Sequence, residues 1–155
     1  WDPEQERVIG DEAANALRAD VVLTPSETTR GELLRLGVGS AARLRALPLA
    51  PAPEFTATAN AVDAGIRASY GLARPYLLFV GGFDAHKHVD TLVSAFEQSD
   101  LATHDLVIAA EPRGDHDRLV ARWQTLACWP RLRLVAPPPA DLPALYRQAE
   151  MLVSP

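Results

Sequence analysis

Residues 76–89 read Tyr-Leu-Leu-Phe-Val-Gly-Gly-Phe-Asp-Ala-His-Lys-His-Val, and this order decides the fold. Five apolar residues, 76–80, have the length of a strand buried on both faces. Two glycines and a short polar loop follow. A helical pattern then runs over 88–98, with Val89, Leu92, Val93 and Phe96 on one side. Working outward, the alternation continues. Strands are expected at 106–110, 132–136 and 151–153. Helices are expected at 115–127, with Leu119, Val120, Trp123 and Leu126 as the apolar face, and from Asp141 or Leu142 to Ala149. Pro137-Pro138-Pro139 forms a rigid loop between the last two elements. Strands alternating with helices of this length specify βαβ units and a parallel sheet, an α/β fold.

Upstream the pattern is shorter and less regular. A helix is expected over 7–18 and a strand over 21–23. Ser26 caps a helix that runs to about Leu36, with Leu33, Leu34 and Leu36 as its core face and Gly37 as its stop. Residues 43–49 hold a half-exposed strand. Pro-Leu-Ala-Pro-Ala-Pro at 48–53 changes the texture and marks the boundary between domains. A helix over 60–70 is closed by Gly71. The expected organisation is therefore a first domain over 1–52, a linker and helix over 53–74, and a second domain over 75–155. The stretch starts at Trp1 and stops just after a strand-like run, so it is expected to be a piece of a larger enzyme.

Composition narrows the function classes. The net charge is -5, and the 15 basic residues are scattered without a cluster, which argues against a nucleic-acid face. The single cysteine, Cys128, excludes an internal disulfide and a cysteine-based zinc site. No apolar run approaches the length of a membrane span. Cytoplasmic residence fits these features.

Ligands of open parallel sheets bind outside the carboxyl ends of the strands. Three such ends are legible: Gly81-Gly82, Glu111-Pro112 and Pro137-Pro138. Glycines let a backbone approach a ligand closely, and the following helix start offers free N–H groups and a positive dipole end. Lys87, the sole lysine of the chain, adds a charge beside it. This suits a diphosphate, although the same strand, glycine pair and helix also occur in α/β turns without a ligand. His86 lines the loop as a second phosphate donor, and Glu111 is placed for ligand contact. His86 and His88 lack a third ligand at metal-binding spacing, so no metal site is expected. Asp84 is expected to order its own turn, Asp115 and Asp117 to sit as helix N-terminal charges, and His104 and His116 at the surface. Trp123, Trp129 and Tyr146 read as packing residues.

Four segments in this order resemble the retaining GT-B glycosyltransferases of the group 1 (family 4) type. They are Ala19–Ser26, Leu47-Pro48-Leu49, Tyr76–Gly82 with Lys87 and the run 90–96, and 141–149 followed by Val153-Ser154-Pro155. The resemblance implies two Rossmann-like domains facing a cleft. Residues 1–52 correspond to the end of the acceptor-side domain, and 75–155 to the first half of the donor-binding domain. It implies transfer of a hexosyl group from a UDP- or GDP-sugar to a glycan, lipid-linked sugar or small hydroxylated metabolite, with retention of configuration and no metal. Lys87 would contact the donor diphosphate and assist the leaving group. Gly81, Gly82, Phe83, His86, Glu111, Ala136 and Pro137 would line the nucleotide site, with 136–138 near the base. Peripheral membrane contact through other regions and homo-oligomer formation stay open. So do a non-catalytic nucleotide- or protein-binding module and a nucleotide-sugar epimerase. Departures from the family pattern bear on these alternatives. Gly82 stands where many members carry Arg, His86-Lys87-His88 replaces the frequent Arg-Lys-Asn, and Ala110 and Ala136 stand near strand-ending glycines. The family's paired-glutamate segment would follow Pro155, so the 155 residues alone are expected to be inactive.

Overall fold

A computed structural model describes residues 18–61 and 63–155. The helix expected over 7–18 falls almost entirely outside the described residues. The chain divides into two compact units, Trp1–Ala52 and Pro53–Pro155.

In the first unit, β1 (Val22–Thr24), α1 (Glu27–Arg35) and β2 (Leu44–Ala46) form one βαβ element, with β1 and β2 parallel and Val22 opposite Leu44. Ser26 Oγ accepts from the Thr29 N–H at 3.0 Å, which satisfies one of the free donors of the first turn. At the other end Gly37 adopts a left-handed φ of 73°. The Val38 N–H then reaches Leu33 O at 2.8 Å and the Gly37 N–H reaches Leu34 O at 3.1 Å, a Schellman stop. Leu44 is buried beneath Gly39. The expected core face of α1 is not formed: no α1 residue is buried, and Leu36 is exposed.

The second unit is a four-stranded parallel sheet in the order β5-β4-β3-β6, from β3 (Tyr76–Val80), β4 (Asp105–Ala109), β5 (Leu132–Val135) and β6 (Met151–Leu152). Its helices are α2 (Asp63–Ser69), α3 (Val89–Gln98), α4 (His116–Trp123) and α5 (Leu142–Gln148). The side-chain period of two divides each strand between the faces. Phe79, Leu106 and Ile108 pack on one face with Val89, Val93 and Phe96 of α3 and Leu119 and Trp123 of α4. Tyr76, Leu78, Val107 and Ala109 pack on the other with Ile66 of α2 and Ala144 and Leu145 of α5. Both faces are covered, as parallel sheets require, and this explains the uninterrupted apolar run of β3. Chain direction across the sheet reverses at β3, which has β4 on one side and β6 on the other.

Two helix ends have causes that the local pattern hides. Arg67 O and Ala68 O are capped by the Leu72 and Gly71 N–H groups, with Gly71 at φ 64°, so α2 stops as the sequence reading anticipates. Helix α4 ends at Trp123, four residues before the expected 127. There the carboxylate of Glu97 on α3 accepts from the Ala127 and Cys128 N–H groups at 3.1 and 2.7 Å, holding 124–128 in turns. The Cys128 thiol beside it is pushed up to about 11 by burial and by Glu97. It is therefore protonated and inert at neutral pH.

Candidate nucleotide-binding site

The sheet delivers three loop starts to one place. Gly81 follows β3, Ala110-Glu111 follows β4, and Ala136-Pro137 follows β5. Together with Val80, Ala109 and Leu142 these residues line a cavity of about 170 Å³ outside the carboxyl ends of the strands. Backbone bonds set the register there: the Gly81 N–H donates to Ala109 O at 3.2 Å and the Ala110 N–H to Val135 O at 2.9 Å. Leu142 enters because α5 begins directly after the turn at Pro139–Asp141. The Tyr70 hydroxyl holds that turn, donating to Asp141 Oδ2 at 2.6 Å. Burial and this carboxylate push the Tyr70 hydroxyl up to about 12, so it stays a donor.

Gly81 has a local reason for being glycine that the sequence does not show. A Cβ there would lie 2.6 Å from Cζ of Phe79, so the ring of the preceding strand residue occupies the space. Gly82 is limited by Asp84, whose Oδ2 would sit 3.0 Å from a Cβ. Gly114, in the loop after β4, has a φ of 64°, and a Cβ there would lie 3.1 Å from Asp84 Oδ1. Asp84 therefore wedges the first loop against the second. It also orders its own turn, since Asp84 O accepts from the Lys87 N–H at 2.9 Å.

The remaining loop residues are distributed differently. Phe83 is buried, its ring edge-on to His116 at 4.8 Å and tilted against Trp123, and it does not line the 170 Å³ cavity. His86 and Lys87 lie exposed on a single 3-10 turn, Ala85–Lys87, outside the cavity lining. His88 then takes a left-handed φ of 49°; its carbonyl accepts from the Thr91 and Leu92 N–H groups at 2.9 and 3.2 Å, and no side chain caps the Val89 and Asp90 N–H groups that open α3. A non-glycine residue in this region is uncommon and carries backbone strain. Gly81, Glu111, Ala136 and Pro137 are thus brought together, while Gly82, His86 and Lys87 form the adjoining loop.

A second cavity, about 220 Å³, lies between that loop and the starts of α3 and α4, bordered by Asp84, His88, Asp90, Asp115 and Arg118. Its charges are mostly engaged. Asp115 pairs with Arg118 at 3.0 Å, which holds its carboxyl below the usual aspartate range, and Asp90 accepts from Trp123 Nε1 at 2.9 Å. His116 and His104 lie at the surface, each with one side packed: His116 on Phe83, and His104 with Nε2 2.8 Å from Glu150 Oε2. Among the described residues no group of three or more His, Cys, Asp or Glu could hold a metal ion, and no helix is long and apolar enough to cross a membrane.

No protein-family model matches the chain, and no curated protein does. Solved structures do match. Sucrose-phosphate synthase from Thermosynechococcus elongatus superposes with a TM-score of 0.74 at 26% identity, over 95% of this chain and 37% of that one. A glycosyltransferase from Rickettsia africae ESF-5 superposes with a TM-score of 0.74 at 14% identity, over 89% of this chain and 38% of that one. The chain thus spans a little over a third of the length of either protein. These likenesses support membership of the GT-B superfamily, with the α/β, Rossmann-like fold of part of a GT-B glycosyltransferase.

Proposed function

We propose that the chain is the nucleotide-sugar-binding part of a retaining glycosyltransferase, which moves a hexosyl group from a UDP- or GDP-sugar to a hydroxylated acceptor. The observation that carries this reading is the 170 Å³ cavity at the carboxyl ends of three parallel strands, lined by Gly81, Glu111, Ala136 and Pro137. The likeness to the sucrose-phosphate synthase, at 26% identity, supports it.

The roles follow from charge and shape. The uncapped start of α3 and the backbone of Gly81-Gly82 receive the diphosphate, and Lys87 supplies a full positive charge. Among the described residues no hydrogen bond or ion pair engages the Lys87 ammonium, so none of them competes with a ligand for it. His86 donates beside it, the Phe83 ring fixes the loop from beneath, and the small apolar walls at Ala136 and Pro137 take the base. In the transfer, the bond from the anomeric carbon to the diphosphate oxygen breaks and a bond from the acceptor oxygen forms on the same face. The acceptor proton passes to the departing phosphate oxygen. Lys87 and the α3 N–H groups stabilise the charge that develops there.

The test is calorimetric titration of the 155 residues with UDP and GDP, followed by incubation of the intact enzyme that contains them with a panel of nucleotide-sugars and acceptors and NMR of the product anomer. Micromolar binding of one nucleotide, product with the donor's anomeric configuration, and protection of Lys87 from amine acylation by that nucleotide are expected. Absence of binding to both nucleotides would overturn the reading. Binding without turnover would restrict the role to nucleotide recognition, and sugar isomerisation without an acceptor would make the chain part of an epimerase.

A further inference from the structure

Resting on the nucleotide reading of the cavity just given, we propose that Tyr70, which is not among the cavity's lining residues, is a positioning residue for its base wall. Through its hydrogen bond to Asp141 it holds Ala136, Pro137 and Leu142 where a base can seat. The need for such a tie follows from the sequence of the wall. Pro137, Pro138 and Pro139 carry no N–H, so three consecutive residues cannot donate to a neighbouring strand or loop. The backbone bonds that remain are local: the Asp141 N–H donates to Pro138 O at 3.0 Å, and the Leu142 N–H to Pro139 O. Packing adds little, since Pro138, Pro139 and Ala140 are exposed. Among the described residues, one hydrogen bond reaches 136–141 from a distant part of the chain, and it is the 2.6 Å bond from the Tyr70 hydroxyl to Asp141 Oδ2.

The donor of that bond is itself fixed. The Tyr70 ring packs against the cluster that contains Ile66, Ala144 and Leu145, and the residue directly follows α2 and precedes the left-handed Gly71 that stops it. Helices α2 and α5 run antiparallel and are tied at both ends. Asp63, at the start of α2, accepts from Arg147 Nη2 at 2.7 Å near the end of α5, and Tyr70, just past the end of α2, meets Asp141 just before α5. The first tie secures the ends away from the cavity. The second secures the ends beside it, where Leu142 enters the lining. A hydroxyl bound to an ionised carboxylate makes one of the shorter and stronger hydrogen bonds. Without it the wall is released to other arrangements, and the affinity of a ligand falls with the fraction of molecules that hold the competent one. A diphosphate seated on the β3 side, by the start of α3, does not touch this wall.

The experiment is calorimetric titration of the 155 residues, and of their Tyr70→Phe and Asp141→Asn variants, with UDP, GDP and inorganic pyrophosphate. Tyr70→Phe keeps the ring and its packing, so it is expected to fold, and a melting temperature well above that of the titration checks this. The nucleotide that binds the wild type is expected to bind Tyr70→Phe about tenfold more weakly, with pyrophosphate unchanged. Asp141→Asn retains an oxygen that can accept from the Tyr70 hydroxyl, and its affinity is expected to stay within about threefold of the wild type. Nucleotide affinity in Tyr70→Phe within about twofold of the wild type overturns the inference while leaving the nucleotide reading intact. Equal weakening of nucleotide and pyrophosphate overturns it by making the loss general. An Asp141→Asn variant as weak as Tyr70→Phe overturns it by assigning the effect to the carboxylate's charge. Failure of both nucleotides to bind the wild type overturns the nucleotide reading and the inference with it.

Discussion

At the amino ends of β3, β4 and β6 polar groups are tied down. The Tyr76 hydroxyl donates to Leu145 O at 2.8 Å, Arg133 stands 3.2 Å from Asp105, His104 meets Glu150, and Arg131 donates to Leu101 O at 2.7 Å. At the carboxyl ends of the same sheet, Glu111 and Lys87 have no partner among the described residues, α3 begins without a side-chain cap, and His88 is held at a positive φ. One end spends its polar groups on the fold and the other keeps them available. Substitutions at the first end should therefore change stability, and substitutions at the second should change binding.

The largest effect is expected at Asp105. This carboxylate is 1% exposed, and Arg133 Nε faces it without being aligned for a hydrogen bond, so the ion pair is its only compensation among the described residues. Arg133→Met keeps the apolar stem and removes the charge. It should cost about 3 kcal/mol, the lower end of the range for a broken buried pair, because Arg133 is itself partly exposed. Urea denaturation measures this. A loss below about 1 kcal/mol would mean that the amino end is not held by its charges. Lys87→Ala is the counterpart at the other end. It should leave stability within about 0.5 kcal/mol while weakening nucleoside-diphosphate binding about tenfold or more. A variant that unfolds early but binds normally would reverse the contrast between the two ends.

A smaller loss is expected from Tyr76→Phe. The ring remains and only its hydroxyl goes, while Leu145 O still accepts from the Ala149 N–H at 3.1 Å. The cost should be about 1 kcal/mol in the same denaturation experiment. A neutral substitution would show that this tie between β3 and α5 is redundant.

These two classes of residue were not equally legible in the sequence. The apolar runs gave the strands because both faces of a parallel sheet must be apolar, and 76–80 coincides with β3. Ser26, Gly37 and Gly71 were legible because each acts on its own neighbours through the backbone. The meeting of Gly81, Glu111, Ala136 and Pro137 follows from the general placement of ligands at strand ends once three parallel strands are recognised. The ties at the amino ends join residues far apart in the chain: Tyr76 with Leu145, His104 with Glu150, and Asp63 with Arg147. No local period announces such pairs. Gly81 illustrates a second kind of limit. Its glycine reads as room for a ligand, yet Phe79 fills that room, a contact that depends on how one ring turns over the sheet edge. Glu97 illustrates a third, because it ends α4 from another helix and the apolar pattern of 115–127 contains no trace of it.

Glu97 also provides the finest test of the division between holding and binding, since it belongs to the fold and titrates. Its carboxyl lies below the ordinary value of 4.5, chiefly through the hydrogen bond from the Cys128 thiol. The Cys128 and Ala127 N–H groups and the charge of Arg131 also lower it, and burial opposes them. A carboxyl whose folded value is depressed binds protons less readily in the folded state than in the unfolded chain. Its contribution is then complete above the unfolded value and is lost as pH falls through the folded one. Glu97→Gln retains an oxygen that can accept one N–H but cannot ionise. The melting temperature of the wild type should therefore exceed that of the variant near pH 6, and the gap should close as pH falls below about 4. A gap that stays constant across this range would show that the 124–128 turns are held by hydrogen-bond geometry alone, with no share from the charge of Glu97.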